Sequence, residues 1–430
     1  MPSSESRVTR GPLSSMRSFV MEHRTQPSAD APPIPLPEFV ALVAAMMALT
    51  ALGIDSMLPA LPAIGKALSV AEENDRQFVI TSFLLGFAFA QLAHGPLSDR
   101  FGRRPVLAFG LIGYAVTNVI VALSGSFTLL LIGRFAAGAA VAAARVVTIA
   151  LVRDCFAGRA MARVMSLAFI VFMAAPVLAP SFGQVVLLFG SWRWIFAGVA
   201  IVSLAISVWF LIRMPETLPP ERRHPLSIKR LFAGYRFMFA DRYAVGYTLA
   251  AALLTGGLFG FIGSVQQIVF EVLRVPHLLV VVFACIASTM AVGSYFNSRI
   301  VMHFGTRLIS HSALSGFFLI SGVHLIVALS GHENIWTFAG LQALAMACFG
   351  LATSNFSSMA MEHMGEIAGT ASSLQGFIST LAGALIGAWI GQQYDGSTVP
   401  LYTGFLVTSG LAFLVILIAE RGRMFRPAND

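Results

Sequence analysis

Twelve apolar runs, none shorter than twenty residues, dictate what this chain can become: 38–62, 77–97, 105–125, 128–150, 164–189, 191–212, 243–270, 277–298, 308–329, 335–358, 366–392 and 400–419. About 20 mainly apolar residues suffice for a helix to cross a bilayer, where every backbone polar group must be satisfied internally. Only 11% of the residues are charged, against roughly 25% in soluble domains, so the composition cannot build an aqueous surface. The expected fold class is an all-α membrane protein with twelve transmembrane helices.

The segments between the runs divide the chain. Residues 1–37 are polar and rich in Pro, Ser and Arg, and end in Pro32-Pro33-Ile34-Pro35-Leu36-Pro37; a segment that cannot bury a core is expected to be a disordered tail. No short apolar core with a small-residue cleavage site precedes span 1, so that span is expected to be retained rather than removed as a signal peptide. Residues 38–213 and 243–420 are expected to form two six-helix halves. Between them, 214–242 is a long linker carrying Pro215, Pro219, Pro220, Arg222, Arg223, Lys229 and Arg230, and 421–430 is a second tail.

Charge orients the bundle. With the N-terminus inside, the tails and inner loops hold 22 of the 28 Lys and Arg residues, and the outer loops only Lys66, Arg76, Arg193 and Arg274. Lys and Arg in short loops mark the cytoplasmic side, so both termini are expected in the cytoplasm. The net charge of +8 is scattered over these loops, which excludes a nucleic-acid face. The bilayer is the expected environment. Cys155, Cys285 and Cys348 have no paired spacing, which excludes a disulfide framework and a zinc site. No phosphate-binding G-x-x-x-x-G-K-[ST] loop, nucleophile elbow or H-E-x-x-H helix occurs. No enzyme activity, cofactor or metal is therefore expected.

Three ionisable side chains apart from histidine fall well inside spans: Asp55, Arg134 and Arg145. Each costs about 2.5–3.5 kcal/mol at a helix centre, so each needs a partner or a water-lined cavity. Span 1 runs outward and span 4 inward, which puts Asp55 and Arg134 both about 9 Å from the outer end at 1.5 Å per residue. The matching depth allows a pair, direct or through water; a static ion pair between helices is the bland alternative. An acid at a cavity can also bind and release a proton. Arg145 follows Arg134 by eleven residues, about three turns, so both project from one face of span 4. Contact with cargo, reach to Asp99 and a place on an inward-open cavity are all open for Arg145.

The loop Gly95-Pro-Leu-Ser-Asp99-Arg100-Phe-Gly102-Arg103-Arg104 joins spans 2 and 3. Its spacing, G-x-x-x-D-R-x-G-R-R, resembles the signature loop of the major facilitator superfamily. Gly293-x-x-x-Asn297-x-Arg299 and Gly305-Thr-Arg307 form a degenerate second copy after span 8, and duplicated halves with a site between them fit a transporter. Ile54-Asp55-Ser-Met-Leu-Pro59-Ala-Leu-Pro62 resembles the helix 1 motif of drug/proton antiporters of the Bcr/CflA type, the bicyclomycin and chloramphenicol resistance group. Leu131-Ile-Gly133-Arg134-Phe-Ala-Ala-Gly138 is similar to the superfamily's helix 4 motif, whose Arg is tied to proton coupling. Pro176-Val-Leu-Ala-Pro180-Ser-Phe-Gly183 partly matches the antiporter motif of helix 5, with Ala175 and Gln184 at usual Gly positions. The tail Met214-Pro-Glu216-Thr-Leu-Pro-Pro-Glu221 also resembles this group.

The resemblance implies two pseudo-symmetric halves, alternating access and export of small amphipathic compounds across the bacterial inner membrane in exchange for protons. The small-molecule substrate and protons are the expected partners, and a monomer the expected unit. A carrier of one metabolite (sugar, amino acid or organic anion), in either direction, is the alternative. Asp55 and Arg134 are the expected proton-coupling pair. The expected cavity residues are Arg145, Phe83, Phe87, Phe172, Phe261, Gln266, Gln267, Asn355 and Gln375, since apolar walls with a few amides suit amphipathic cargo. Gly95, Asp99, Arg100, Gly102, Arg103, Arg104, Pro176 and Pro180 are expected to gate the conformation. Asp99 is expected to dock on the N-terminus of helix 11, near Gly369 and Ser372, and Arg103 and Arg104 to pair with Asp154. His324, Glu271 and Glu362 are read as locally satisfied or solvated.

Overall fold

The computed structural model describes residues 32–156, 158–223 and 228–425. Most of tail 1–37, linker residues 224–227 and the end of tail 421–430 lie outside the described residues. Among those described, twelve helical spans are long and apolar enough to cross a membrane: α1 (Leu36–Ala67), α2 (Glu73–Phe101), α3 (Arg103–Ala122), α4 (Phe127–Cys155), α5 (Arg163–Phe189), α6 (Arg193–Arg213), α7 (Arg242–Val272), α8 (Pro276–Phe304), α9 (Thr306–Leu329), α10 (Ile335–Ala360), α11 (Ala368–Gln392) and α12 (Val399–Ala419). Each coincides with one apolar run. Large apolar side chains such as Phe109, Ile132, Leu188, Ile212 and Ile418 stand exposed on the outside, as lipid-facing positions allow.

Helix ends run further than the apolar runs, and the reason is local. No strong breaker interrupts Ser98 to Phe101, so α2 continues through its charged end until Gly102, whose φ of +103° stops it. The next helix starts at Arg103. The second half repeats the device: α8 ends at Phe304, Gly305 has φ +76°, and α9 starts at Thr306. At such angles an L side chain is strained and glycine is not.

Prolines break two of the other spans. In α1 the first α-helical segment ends at Asp55, and a 3₁₀ turn over Leu58–Ala60 precedes the second segment from Leu61. Pro59 has no N–H to give to the Asp55 carbonyl four residues back. In α5 the helix breaks between Met173 and Ala175, and Pro176 falls in the first turn of the new segment, where a missing N–H costs nothing. Pro180 lies within that segment.

Within each half, one close crossing uses paired glycines. A Cβ on Gly86 of α2 would lie 1.9 Å from the Phe135 carbonyl oxygen of α4, and one on Gly138 of α4 would lie 1.9 Å from the Phe83 oxygen of α2. In the second half, Gly293 of α8 and Gly350 of α10 face Ala347 and Met290 oxygens in the same way, both at 2.8 Å. Small residues let membrane helices approach at backbone distance. Between the halves, α2 packs on α11 and α5 on α8.

The linker holds an element that its charge and prolines conceal. Ile228–Ala240 is a helix. Leu231, Gly234, Tyr235 and Met238, at i, i+3, i+4 and i+7, form its inward face, and Met238 packs with Met364, Ala371 and Leu374 at the start of α11. Phe232, Phe237 and Phe239 remain exposed. Asp241 follows and caps α7, accepting the N–H groups of Tyr243 and Ala244 at 2.8 Å each. Burial alone would raise the Asp241 carboxyl, but these N–H groups and His363 hold it below its ordinary value.

The α2–α4 crossing generates a test of stability. Gly138→Val places branched carbons where the Phe83 backbone runs, and overpacking costs about 1–3 kcal/mol or more. Purified Gly138→Val protein should melt well below wild type. A Cβ at Gly125 meets nothing within 4 Å, so Gly125→Ala serves as control. Equal melting of the two variants would refute the close crossing.

Candidate functional site: a cavity between the halves

A cavity of about 890 Å³ lies between the halves. It runs from Thr50 and Asp55 of α1 to Asp99, Arg153, Tyr235 and Thr370 at the face that carries most of the basic residues. Of the residues expected to line it, Arg145, Phe87, Phe172, Phe261 and Gln375 do. Phe83, Gln266, Gln267 and Asn355 are not among its lining residues. Phe83 is buried beneath the Arg134 guanidinium, 4.3 Å from its ring centre. Gln266 is buried with its Nε2 unpartnered. Asn355 donates to Asn297 Oδ1 at 2.7 Å and joins α10 to α8.

The proline break in α1 explains how Arg134 is held. Carbonyls in the last turn of a helix lack intrahelical donors. Gly53 lies in that turn, and its oxygen accepts from Arg134 Nη2 at 2.8 Å. Arg134 Nε donates to the Val79 oxygen of α2 at 3.1 Å. The guanidinium is fully buried, packed on Phe83 and Phe196, and its Nη1 has no partner. Asp55, two residues beyond Gly53, is buried on the cavity wall with Oδ1 unpartnered. The expected contact is therefore not a direct ion pair in this conformation: Arg134 is bound to the backbone beside Asp55.

At the basic face, Arg103 organises the end of the first half. Its Nη1 donates to Asp99 Oδ1 at 2.5 Å and to Ser98 Oγ at 2.7 Å, and its Nε to Asp154 Oδ2 at 2.8 Å. The Asp154 pairing is as expected for Arg103. Arg104 instead donates to the Leu211 oxygen at 2.7 Å. Asp99 is not docked on α11, because Arg103 holds it in its own loop and the cavity mouth separates it from the start of α11. Gly95 also lines the cavity, and a Cβ there would lie 3.3 Å from Ser373 Oγ of α11. Arg100 lies over Phe101, 5.2 Å from the ring centre. Pro176 lines the cavity, while Pro180 is buried beside it in α5.

Sequence reasoning missed the part played by Glu216. Its carboxylate accepts the N–H groups of Arg103 at 2.9 Å and Arg104 at 3.2 Å, and so caps α3. It passes so close to Gly102 that a Cβ there would lie 2.3 Å from Oε2. The degenerate copy keeps this plan: Arg307 of α9 donates to Glu420 at 3.0 Å and lies 3.5 Å from Glu362.

The opposite face is shut by amides. Gln77 Nε2 of α2 donates to Gln267 Oε1 of α7 at 2.6 Å and to the Gly391 oxygen of α11 at 3.2 Å. Gln267 donates to Asn74 at 2.9 Å, and Asn74 to the Tyr394 oxygen at 2.9 Å. Arg76 lies 3.8 Å from Glu271. Gln267 is thus part of a closure rather than of the cavity. Short polar residues at span ends read as ordinary boundary chemistry, so only their convergence from three helices reveals them. Burial pushes the Tyr394 phenol above its ordinary value.

Two six-helix halves around a cavity open to one face define a membrane carrier. Residues 43–388 match the Major Facilitator Superfamily, and the chain belongs to it. It is 31% identical over 385 residues to a bicyclomycin resistance protein homolog of Haemophilus influenzae, covering 89% of this chain and 94% of that one. It is 28% identical over 376 residues to the multidrug resistance protein MdtL of Klebsiella pneumoniae, covering 85% and 91%. The fold superposes on the xylose transporter XylE from E. coli with a TM-score of 0.68 at 12% identity, covering 90% of this chain and 98% of XylE. The protein is a multi-pass membrane transporter of small molecules, not an enzyme.

The amide closure generates a prediction. Gln77→Ala removes two bonds between the halves, each worth about 0.5–1.5 kcal/mol net. A Thr255→Cys reporter on the cavity wall, with Cys155, Cys285 and Cys348 replaced by serine, should then react several-fold faster with a membrane-impermeant maleimide applied to the opposite face. An unchanged rate would show that the closure rests elsewhere.

Proposed function

We propose that this chain exports small amphipathic compounds across the bacterial inner membrane in exchange for protons, by alternating access of the cavity between its halves. The basic face and both termini lie in the cytoplasm, following the distribution of Lys and Arg. The halves 38–213 and 243–420 rock as units about the linker 214–242, and the protein works as a monomer. Relatives named for bicyclomycin and multidrug resistance support export of this cargo class.

One observation carries the reading: Asp55 sits on the cavity wall with Oδ1 unpartnered, two residues beyond the Gly53 carbonyl that holds the Arg134 guanidinium. An ionised carboxylate buried without donors is costly, so this acid has two ways to settle. Protonated, it is neutral and offers Arg134 no charge to attract. Ionised, it is drawn to Arg134 Nη1. The α1 break at residues 56–57 lets the Leu36–Asp55 segment move without dragging the rest of the span. A proton taken up on one side and lost on the other then alternates the two packings, and cargo occupies the same cavity between them.

Asp55→Asn keeps the shape and removes the ionisable group. In liposomes with an imposed pH gradient, it should lower proton-driven drug movement at least tenfold while cargo exchange without a gradient persists. Asp55→Glu should retain part of the coupled rate. Full uphill transport by Asp55→Asn would overturn the assignment.

A further inference from the structure

Arginines are spent differently in this bundle. Arg134 is tied to two carbonyls, and Arg103 to Asp99 and Asp154. Arg145 has no hydrogen bond, ion pair or ring contact among the described residues. It lies on α4 about three turns from Arg134 and lines the cavity, while Ala142, Ala143, Ala144, Val147 and Thr148 around it are buried. The residue is exposed and lines the cavity.

The acids that line this cavity are Asp55 and Asp99. Asp99 is held by Arg103 in the basic-face loop, and Asp55 ends the first α1 segment. Arg153 adds a second cation at the mouth. Aromatic surface is supplied by Phe87, Phe172 and Phe261, and Gln375 lines the same wall with an unpartnered Nε2 donor. Such a site has a free planar cation, a spare N–H donor and flat apolar walls. Guanidinium binds planar oxyanions with paired hydrogen bonds.

We propose that Arg145 receives an anionic group of the cargo, a carboxylate, sulfonate or phosphate, so that the compounds carried are organic anions or zwitterions with an aromatic body rather than lipophilic cations. The proposal deepens the exporter reading and rests on it for the direction of transport, though not for binding. The cavity admits water while empty, which keeps an unpartnered cation tolerable at that depth. Cargo replaces that water with one charge-assisted pair, and the walls cover the ring. A cation of the same shape meets Arg145 as a like charge.

The test uses equilibrium binding to the full-length protein in detergent, with no gradient. The probes are 7-diethylaminocoumarin-3-carboxylate, its neutral ethyl ester, and ethidium. Wild type should bind the carboxylate at least tenfold more tightly than the ester, and ethidium weakest. Arg145→Gln should erase the difference between carboxylate and ester, and Arg145→Lys should keep part of it. Equal affinities in wild type, or a loss in Arg145→Gln that is the same for carboxylate and ester, would overturn the proposal. Asp55→Asn separates the two readings. If the carboxylate preference stands while Asp55→Asn still pumps, only the proton coupling fails. If the preference is absent while Asp55→Asn stops pumping, only the anion site fails.

Discussion

Everything in the first half is arranged around placing one guanidinium in hydrocarbon. Arg134 is fully buried, and two backbone oxygens from two other helices take its protons. One of those oxygens, that of Gly53, lies in the last turn of the first α1 segment, where intrahelical donors run out. The break in one helix therefore offers the acceptor that an arginine on another requires. Removing either partner leaves a buried polar group unsatisfied, which is why the broken helix and the buried cation belong to one design. The same break ends the first α1 segment at Asp55 and sets that acid on the cavity wall.

Holding the guanidinium also requires the helices to be close. The α2–α4 crossing brings backbone to backbone through Gly86 and Gly138, and this contact delivers the Val79 oxygen to Arg134. The second half has the matching glycine crossing at Gly293 and Gly350 but no cation at its centre. Duplication preserved the packing and left the charges to one copy. A membrane core tolerates that asymmetry, because interlocking of small residues is independent of what the neighbouring positions carry.

The twelve spans were legible in the sequence because hydrocarbon imposes length and composition on each separately. Asp55, Arg134 and Arg145 were legible for the same reason: charge in such a run stands out. Their partners were not. Arg134 binds backbone oxygens, which every residue has, so no side-chain pattern announces Gly53 or Val79. Asn74, Gln77 and Gln267 are unremarkable one at a time and gain meaning only where three helices converge. The linker helix was hidden by its own charges, since a face of four residues in thirteen is a weak period beside Lys229, Arg230 and Arg236. Phe83 was placed in the cavity by its type and depth, yet its ring is covered by the very cation whose position the sequence made plain.

The two ends of the cavity are built from different chemistry, and the difference follows from what lies outside each. At the basic face, long charged side chains tie loops within each half: Arg103 to Asp99 and Asp154, and Arg307 to Glu420. None of these pairs crosses between the halves, so that face can open without breaking an ion pair. At the opposite face, the direct ties across the halves are mainly amide hydrogen bonds from Asn74 and Gln77 to α7 and α11. Neutral bonds of about 0.5–1.5 kcal/mol each are strong enough together to hold a closed end. They remain weak enough for one protonation or one bound cargo molecule to offset. A buried ion-pair lock would be far harder to break, because separating its members leaves uncompensated charge. Amides at the side that must part, with only a long 3.8 Å charge contact from Arg76 to Glu271 beside them, give a bundle whose two packings lie close in free energy, as a carrier that returns to its starting state on every cycle requires.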